Sequence, residues 1–121
     1  MTKILVMEDN AAIRETFQVI LETAGYEVYL SSNGIEGSVI LEHEVIDLIV
    51  SNGEMPQMNG YEAVQVFKNN PLTAHIPFLI ITASEPTEPD QRKALQLANA
   101  HLSKPIAAKD LLNCVATLLQ Q

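Results

Sequence analysis

Glu8 and Asp9 stand side by side behind the first apolar run of the chain, Ile4 to Met7. Ser51 and Asn52 follow a second such run, Leu48 to Val50, and Thr82 follows a third, Phe78 to Ile81. Lys104 lies just beyond Ala100 to Leu102 and directly before Pro105. These residues offer two carboxylates, an amide, a hydroxyl and an ammonium group. Carboxylate oxygens suit a hard cation such as Mg²⁺. Hydroxyl and ammonium donors stabilise the charge that a transferring phosphoryl group spreads over its oxygens. Taken singly, each has a plainer role. An acidic pair caps a helix or stays solvated, a strand-end threonine is usually structural, and Lys-Pro usually makes a turn.

The groups act together only if the elements before them align. Val28 to Leu30 completes a set of five short apolar runs, most of them continuous rather than alternating. Strands buried on both faces of a parallel sheet read this way. Helical patterns lie between the runs. Ile13, Phe17, Ile20, Leu21 and Ala24 make one helix face, with Asn10 as its cap and Gly25 at its end. Ile35, Val39 and Ile40 indicate a second, weaker helix. Tyr61, Val64 and Phe67 indicate a third, opened by Asn59-Gly60. A fourth begins near Pro89, with a thin apolar face of Ala94, Leu95 and Ala98. Leu111, Leu112, Val115, Leu118 and Leu119 make the fifth. Strand alternates with helix five times. The expected fold is α/β: a flavodoxin-like (βα)5 unit with a doubly wound parallel sheet of order 2-1-3-4-5 and helices on both faces. Ligands in such sheets sit outside the carboxyl ends of the strands. That is where the acid, amide, hydroxyl and ammonium groups fall.

The chain has 121 residues and is 47% hydrophobic, enough for one core over residues 1–121. Its net charge is -8, with 15 acidic and 7 basic residues. Such a surface repels nucleic acid and anionic lipid, so neither is expected as a partner. A single cysteine, Cys114, excludes an intrachain disulfide and suits a cytoplasmic, reducing location. The first apolar run is too short for a signal peptide or a membrane helix. Cys114, Met7, Met55 and Met58 read as packing residues, and His43 and His75 lack metal-ligand spacing.

The residues carry a resemblance over essentially the whole chain. Val6-Met7-Glu8-Asp9-Asn10, the run from Asp47 through Met55-Pro56-Gln57-Met58-Asn59-Gly60, Ile81-Thr82-Ala83, and Leu102-Ser103-Lys104-Pro105 occur in the order and spacing of response regulator receiver domains. In two-component systems such domains take a phosphoryl group from a histidine kinase onto an aspartate. The resemblance implies that Glu8, Asp9 and the backbone carbonyl of Glu54 hold Mg²⁺. It implies that Thr82 is the switch hydroxyl, that Lys104 pairs with phosphate, and that the Lys104–Pro105 bond is cis. The partners implied are a histidine kinase or another signalling protein, and a homodimer through the fourth helix, fifth strand and fifth helix.

The acceptor position holds Asn52. A carboxylate attacks phosphorus with a full negative charge. An amide oxygen is neutral and its nitrogen lone pair is delocalised, so no acyl phosphate is expected. Glu8, Asp9 and Lys104 sum to -1, where an aspartate at position 52 would give -2. Mg²⁺ is therefore expected to bind weakly, with Lys104 turning to Glu8 or Asp9. Asn52-Gly53 is also a deamidation-prone pair, and slow conversion would restore a carboxylate. His101 stands where the family usually has an aromatic residue that rotates with the switch threonine. Asn59 stands where the family has aspartate and should keep the capping role.

Two origins give Asn52: a natural pseudo-receiver, or a deliberate Asp-to-Asn replacement in an ordinary one. The departures at His101 and Asn59 lean towards the first. The expected function is a protein-binding signalling module and not an enzyme, whether a stand-alone receiver or a piece of a larger regulator. The alternative is a flavin- or nucleotide-binding carrier on the same sheet. Against it, Glu8-Asp9-Asn10-Ala11 lacks the glycine-rich character that cradles phosphate.

Overall fold

A computed structural model of the chain describes residues 1–83 and 85–120. Five strands alternate with five helices: β1 (Lys3–Met7), α1 (Ala11–Thr23), β2 (Glu27–Ser31), α2 (Gly34–His43), β3 (Leu48–Asn52), α3 (Gly60–Lys68), β4 (Phe78–Thr82), α4 (Pro89–Leu97), β5 (Ala100–Ser103) and α5 (Ala108–Leu119). All pairings are parallel and the strand order is β2-β1-β3-β4-β5. The expected fold is therefore the observed one.

Side-chain alternation along the strands splits the core in two. Ile4, Val6, Leu48, Val50, Leu79 and Ile81 face one side, against α1 and α5. Leu5, Met7, Ile49, Phe78 and Ile80 face the other, against α2, α3 and α4. The central strands β3 and β4 are buried throughout, and β1 nearly so. The edge strands β2 and β5 are half-exposed.

Local chemistry sets the boundaries. Asn10 Oδ1 accepts from the backbone N–H of Ile13 at 3.0 Å and caps α1, while Gly25, at φ 98°, ends it. Asn59 and Glu62 form a capping box on α3, so asparagine does keep the cap. Pro89 opens α4. Only Ala94 of α4 is fully buried, which agrees with its thin apolar face.

One face differs from the sequence expectation. α2 forms, but Ile35 and Val39 point outward, each 50% exposed. Its buried residues are Gly34 and Gly37. A Cβ at Gly37 would collide with Sδ of Met7. Two glycines bring the α2 backbone onto the sheet, while Ile40, the third residue of the expected face, is half-buried against the core together with Leu41.

Candidate functional site

Strand register assembles the site. Met7 pairs with Ser51, Asn52 with Ile81, and Thr82 with Ser103. The tips of β1, β3, β4 and β5 thus lie consecutively at one sheet edge. Backbone hydrogen bonds extend the pairing past the strands: Gly53 N–H donates to Ile81 O at 2.8 Å, and Lys104 N–H to Thr82 O at 2.8 Å. The Lys104–Pro105 bond is cis.

Asn52 is the centre of the arrangement. Its Nδ2 donates to the backbone oxygen of Glu54 at 2.6 Å and to Oε2 of Glu8 at 3.3 Å. The orientation follows from charge, since Oδ1 in that place would face two acceptors. Oε2 of Glu8 also accepts from the backbone N–H of Asn10 at 3.1 Å. Oε1 of Glu8 and Oγ1 of Thr82 are buried without a hydrogen-bond partner. Burial pushes the Glu8 carboxyl above the usual range. The Asn10 N–H opposes this, neighbouring Asp9 adds to it, and the positive charge of Lys104 again opposes it. Asp9 itself is exposed.

One expectation comes out differently. Lys104 does not pair with Glu8 or Asp9; the ion pair among the described residues is Lys3–Glu44, at 3.3 Å. Glu8 already has two hydrogen-bond donors, Asn52 and Asn10, so its need for a cation is reduced. His101 is exposed on edge strand β5.

Several residues at the site were not anticipated from sequence. Arg14 Nη1 donates to the backbone oxygen of Glu8 at 2.8 Å. Arg14 lies one helical turn after Asn10, a spacing that could have revealed it. Asn33 Nδ2 donates to Oε1 of Gln57 at 2.9 Å, and Gly34 N–H to Met58 O at 2.8 Å. This clamp holds the β3–α3 loop, where Gln57 adopts a left-handed φ of 60°. No local spacing links position 33 to position 57.

The oxygens that the resemblance assigns to Mg²⁺ are partly consumed. The Asn52 amide nitrogen already engages Glu54 O and Glu8 Oε2. A cation bound between them would have to displace a hydrogen-bond donor and would receive in return only a neutral Oδ1. Among the described residues, no group of three or more His, Cys, Asp or Glu side chains is placed to hold a metal. Glu8, Asp9 and the Glu54 carbonyl would hold such an ion only with the Asn52 amide turned away from them.

A five-stranded parallel sheet of this order, with acid, amide, hydroxyl and lysine at adjoining strand tips, defines a receiver-type signalling domain. The family model for the response regulator receiver domain matches residues 4–116, and the chain belongs to that family. It is 30% identical over 121 residues to the DNA-binding dual master transcriptional regulator RpaA of Synechocystis, covering 100% of this chain and 50% of RpaA. The chain spans about half the length of the first curated relatives it matches. Among solved structures, it resembles the signal receiver domain of a signal transduction histidine kinase from Syntrophus aciditrophicus, with TM-score 0.91 and 30% identity, covering 99% of this chain and 91% of that one. It also resembles the receiver domain of a sensor histidine kinase from Pseudomonas aeruginosa, with TM-score 0.88 and 25% identity, covering 99% and 98%. That structure has a magnesium ion coordinated in its active-site cleft. The flavin-carrier alternative is not favoured: the family match and the buried carboxylate of Glu8 after β1 both oppose it. Among the described residues no helix is long and apolar enough to cross a membrane.

Proposed function

We propose that this receiver domain signals without phosphoryl transfer to position 52, as a protein-binding module and not as an enzyme. One observation carries the reading. The Asn52 amide nitrogen bonds to Glu54 O and Glu8 Oε2, two of the oxygens that a metal would take in the family. The amide thus stands in for the cation and ties the β3–α3 loop to β1. It cannot accept a phosphoryl group, because it presents no anionic oxygen. Mg²⁺ binds weakly, since it must break both hydrogen bonds. Deamidation is hindered too: imide closure requires the Gly53 nitrogen, whose N–H is held by Ile81 O. The partner is a histidine kinase or another signalling protein, and α4, β5 and α5 are the face on which a second copy would dock.

Intact mass after incubation with acetyl phosphate and Mg²⁺, beside the Asn52→Asp variant, tests this. The parent should gain no phosphoryl mass, and the variant should gain one phosphoryl group. An adduct mapped to residue 52 of the parent would end the proposal. Failure of both proteins to react would show that the rest of the pocket has also lost competence.

A further inference from the structure

α2 and α3 pack against each other on one side of the sheet. A groove of about 270 Å³ runs between them, lined by Ser38, Leu41, Glu42, Val66, Phe67 and Leu72 among others. Val66 is 48% exposed and Leu72 80%, unusually high for large apolar side chains clustered at one place.

The stretch that supplies this face is acidic, and its Glu44, just past the end of α2, pairs with Lys3 at 3.3 Å. From residue 15 to residue 67 the sequence holds nine carboxylates and no Lys or Arg. The cations that bound this stretch are both engaged elsewhere. Arg14 Nη1 is held by Glu8 O at 2.8 Å, at the far end of α1. The Lys68 ammonium turns inward and donates to Ala74 O at 3.2 Å, Ile76 O at 2.9 Å and Asn99 Oδ1 at 2.8 Å. Glu42 lines the groove, and Glu62 shares an adjoining cleft with Val66. An apolar trough between two helices accepts side chains spaced i, i+3, i+4 and i+7 from a third. Carboxylates on its rim select a helix whose opposite face is basic.

We propose that the α2–α3 groove docks a cationic amphipathic helix of a partner protein. The inference is independent of Asn52, since it uses no residue of the strand-tip pocket. A second copy of this chain is a poorer occupant. Its own basic helix, α4, carries Arg92, Lys93 and the 40% exposed Leu97, but also Asp90. An α4-to-groove contact is heterologous and would propagate chains of molecules rather than close a dimer.

Two synthetic helices of about 18 residues, or five turns, provide the probe. Both carry leucine on one face, with lysine on the other face of the first and glutamate on the other face of the second. Titration into the isotope-labelled chain should move amide resonances of α2 and α3 with the lysine peptide and leave them fixed with the glutamate one. The double variant Val66→Ser, Leu72→Ser should weaken binding at least ~10-fold, roughly two lost apolar anchors. Glu42→Lys should weaken it several-fold and flatten its salt dependence. Val19→Ser, at an exposed site on α1, should leave it unchanged. All four positions are exposed at least in part or line the surface, and circular dichroism confirms folding of each variant. Shifts confined to α4, β5 and α5, equal affinity for the glutamate peptide, or an unaffected double variant would overturn the proposal. So would concentration-dependent self-association abolished by the double variant, which would make a second copy the occupant.

Discussion

The Asn52 side-chain nitrogen lies 2.6 Å from the Glu54 carbonyl oxygen, a hydrogen bond that closes the β3–α3 loop back onto its own strand. The same nitrogen reaches Glu8 at 3.3 Å. In the metal-binding pattern of the family, carboxylate and carbonyl oxygens converge on a cation. Here a neutral donor occupies the point of convergence, and the pocket's electrostatics follow from that exchange.

The first prediction concerns magnesium. In about 10 mM MgCl₂ the thermal midpoint of the parent chain should move by less than about 1 °C. Asn52→Asp should start lower without metal, because it loses both donors and adds a charge beside buried Glu8. It should then recover in Mg²⁺. A dissociation constant of about 1 mM gives about 1.4 kcal/mol of linkage, or about 5 °C for a domain of this size. Calorimetric scans of the two proteins with and without metal decide this. Equal shifts in both would show that the amide does not replace the cation.

Glu8 supplies a pH dependence. Burial raises its folded-state value above that of the unfolded chain. The folded state therefore holds the Glu8 proton more tightly. This group's contribution to stability is largest below the ordinary glutamate value of about 4.3 and is lost as pH rises through the folded-state value. Glu8→Gln keeps an acceptor for Asn52 and Asn10 and removes the ionisation. Its unfolding midpoint should exceed the parent's at pH 7, with the gap narrowing towards pH 4. A gap that widens on acidification would contradict the assignment.

Gly60 is a packing requirement and not a flexible joint. A Cβ there would meet the Asn52 carbonyl oxygen inside contact distance and Ser51 Oγ at 2.8 Å. The first of these is backbone and cannot swing away. Gly60→Ala should cost at least ~2 kcal/mol, at the upper end of overpacking effects. Urea unfolding measures it, and a loss below about 0.5 kcal/mol would mean that α3 can slide.

Lys68 is a structural cation. Its ammonium joins Ala74 O, Ile76 O and Asn99 Oδ1, and Asn99 Oδ1 in turn accepts from Phe78 N–H at 2.9 Å. Burial lowers its pKa. Lys68→Met keeps the aliphatic stem and strands these acceptors, at a cost of roughly 1–3 kcal/mol. Hydrogen exchange should show the loss concentrated at the start of β4. A uniform change across the sheet would argue for a nonlocal role.

The order of strands and helices was legible in the sequence because continuous apolar runs and helical spacing are local patterns. So were the caps at Asn10 and Asn59, whose side chains act within three residues. The placement of Glu8, Asn52, Thr82 and Lys104 at adjoining strand tips was legible as well, because the strand tips of a parallel sheet share one edge. What each group does there was not legible. Lys104 was expected to turn to the acids, but the Asn52 amide took that place, and Arg14 joined the pocket from α1. The outward face of α2 was hidden for the same reason. Ile35 and Val39 look like core residues until Gly37 meets Met7. Periodicity along one chain specifies which residues share a face. Only the packing of one element on another decides which face turns inward and which donor reaches a buried acceptor first, because those choices are settled by distances between atoms remote in sequence.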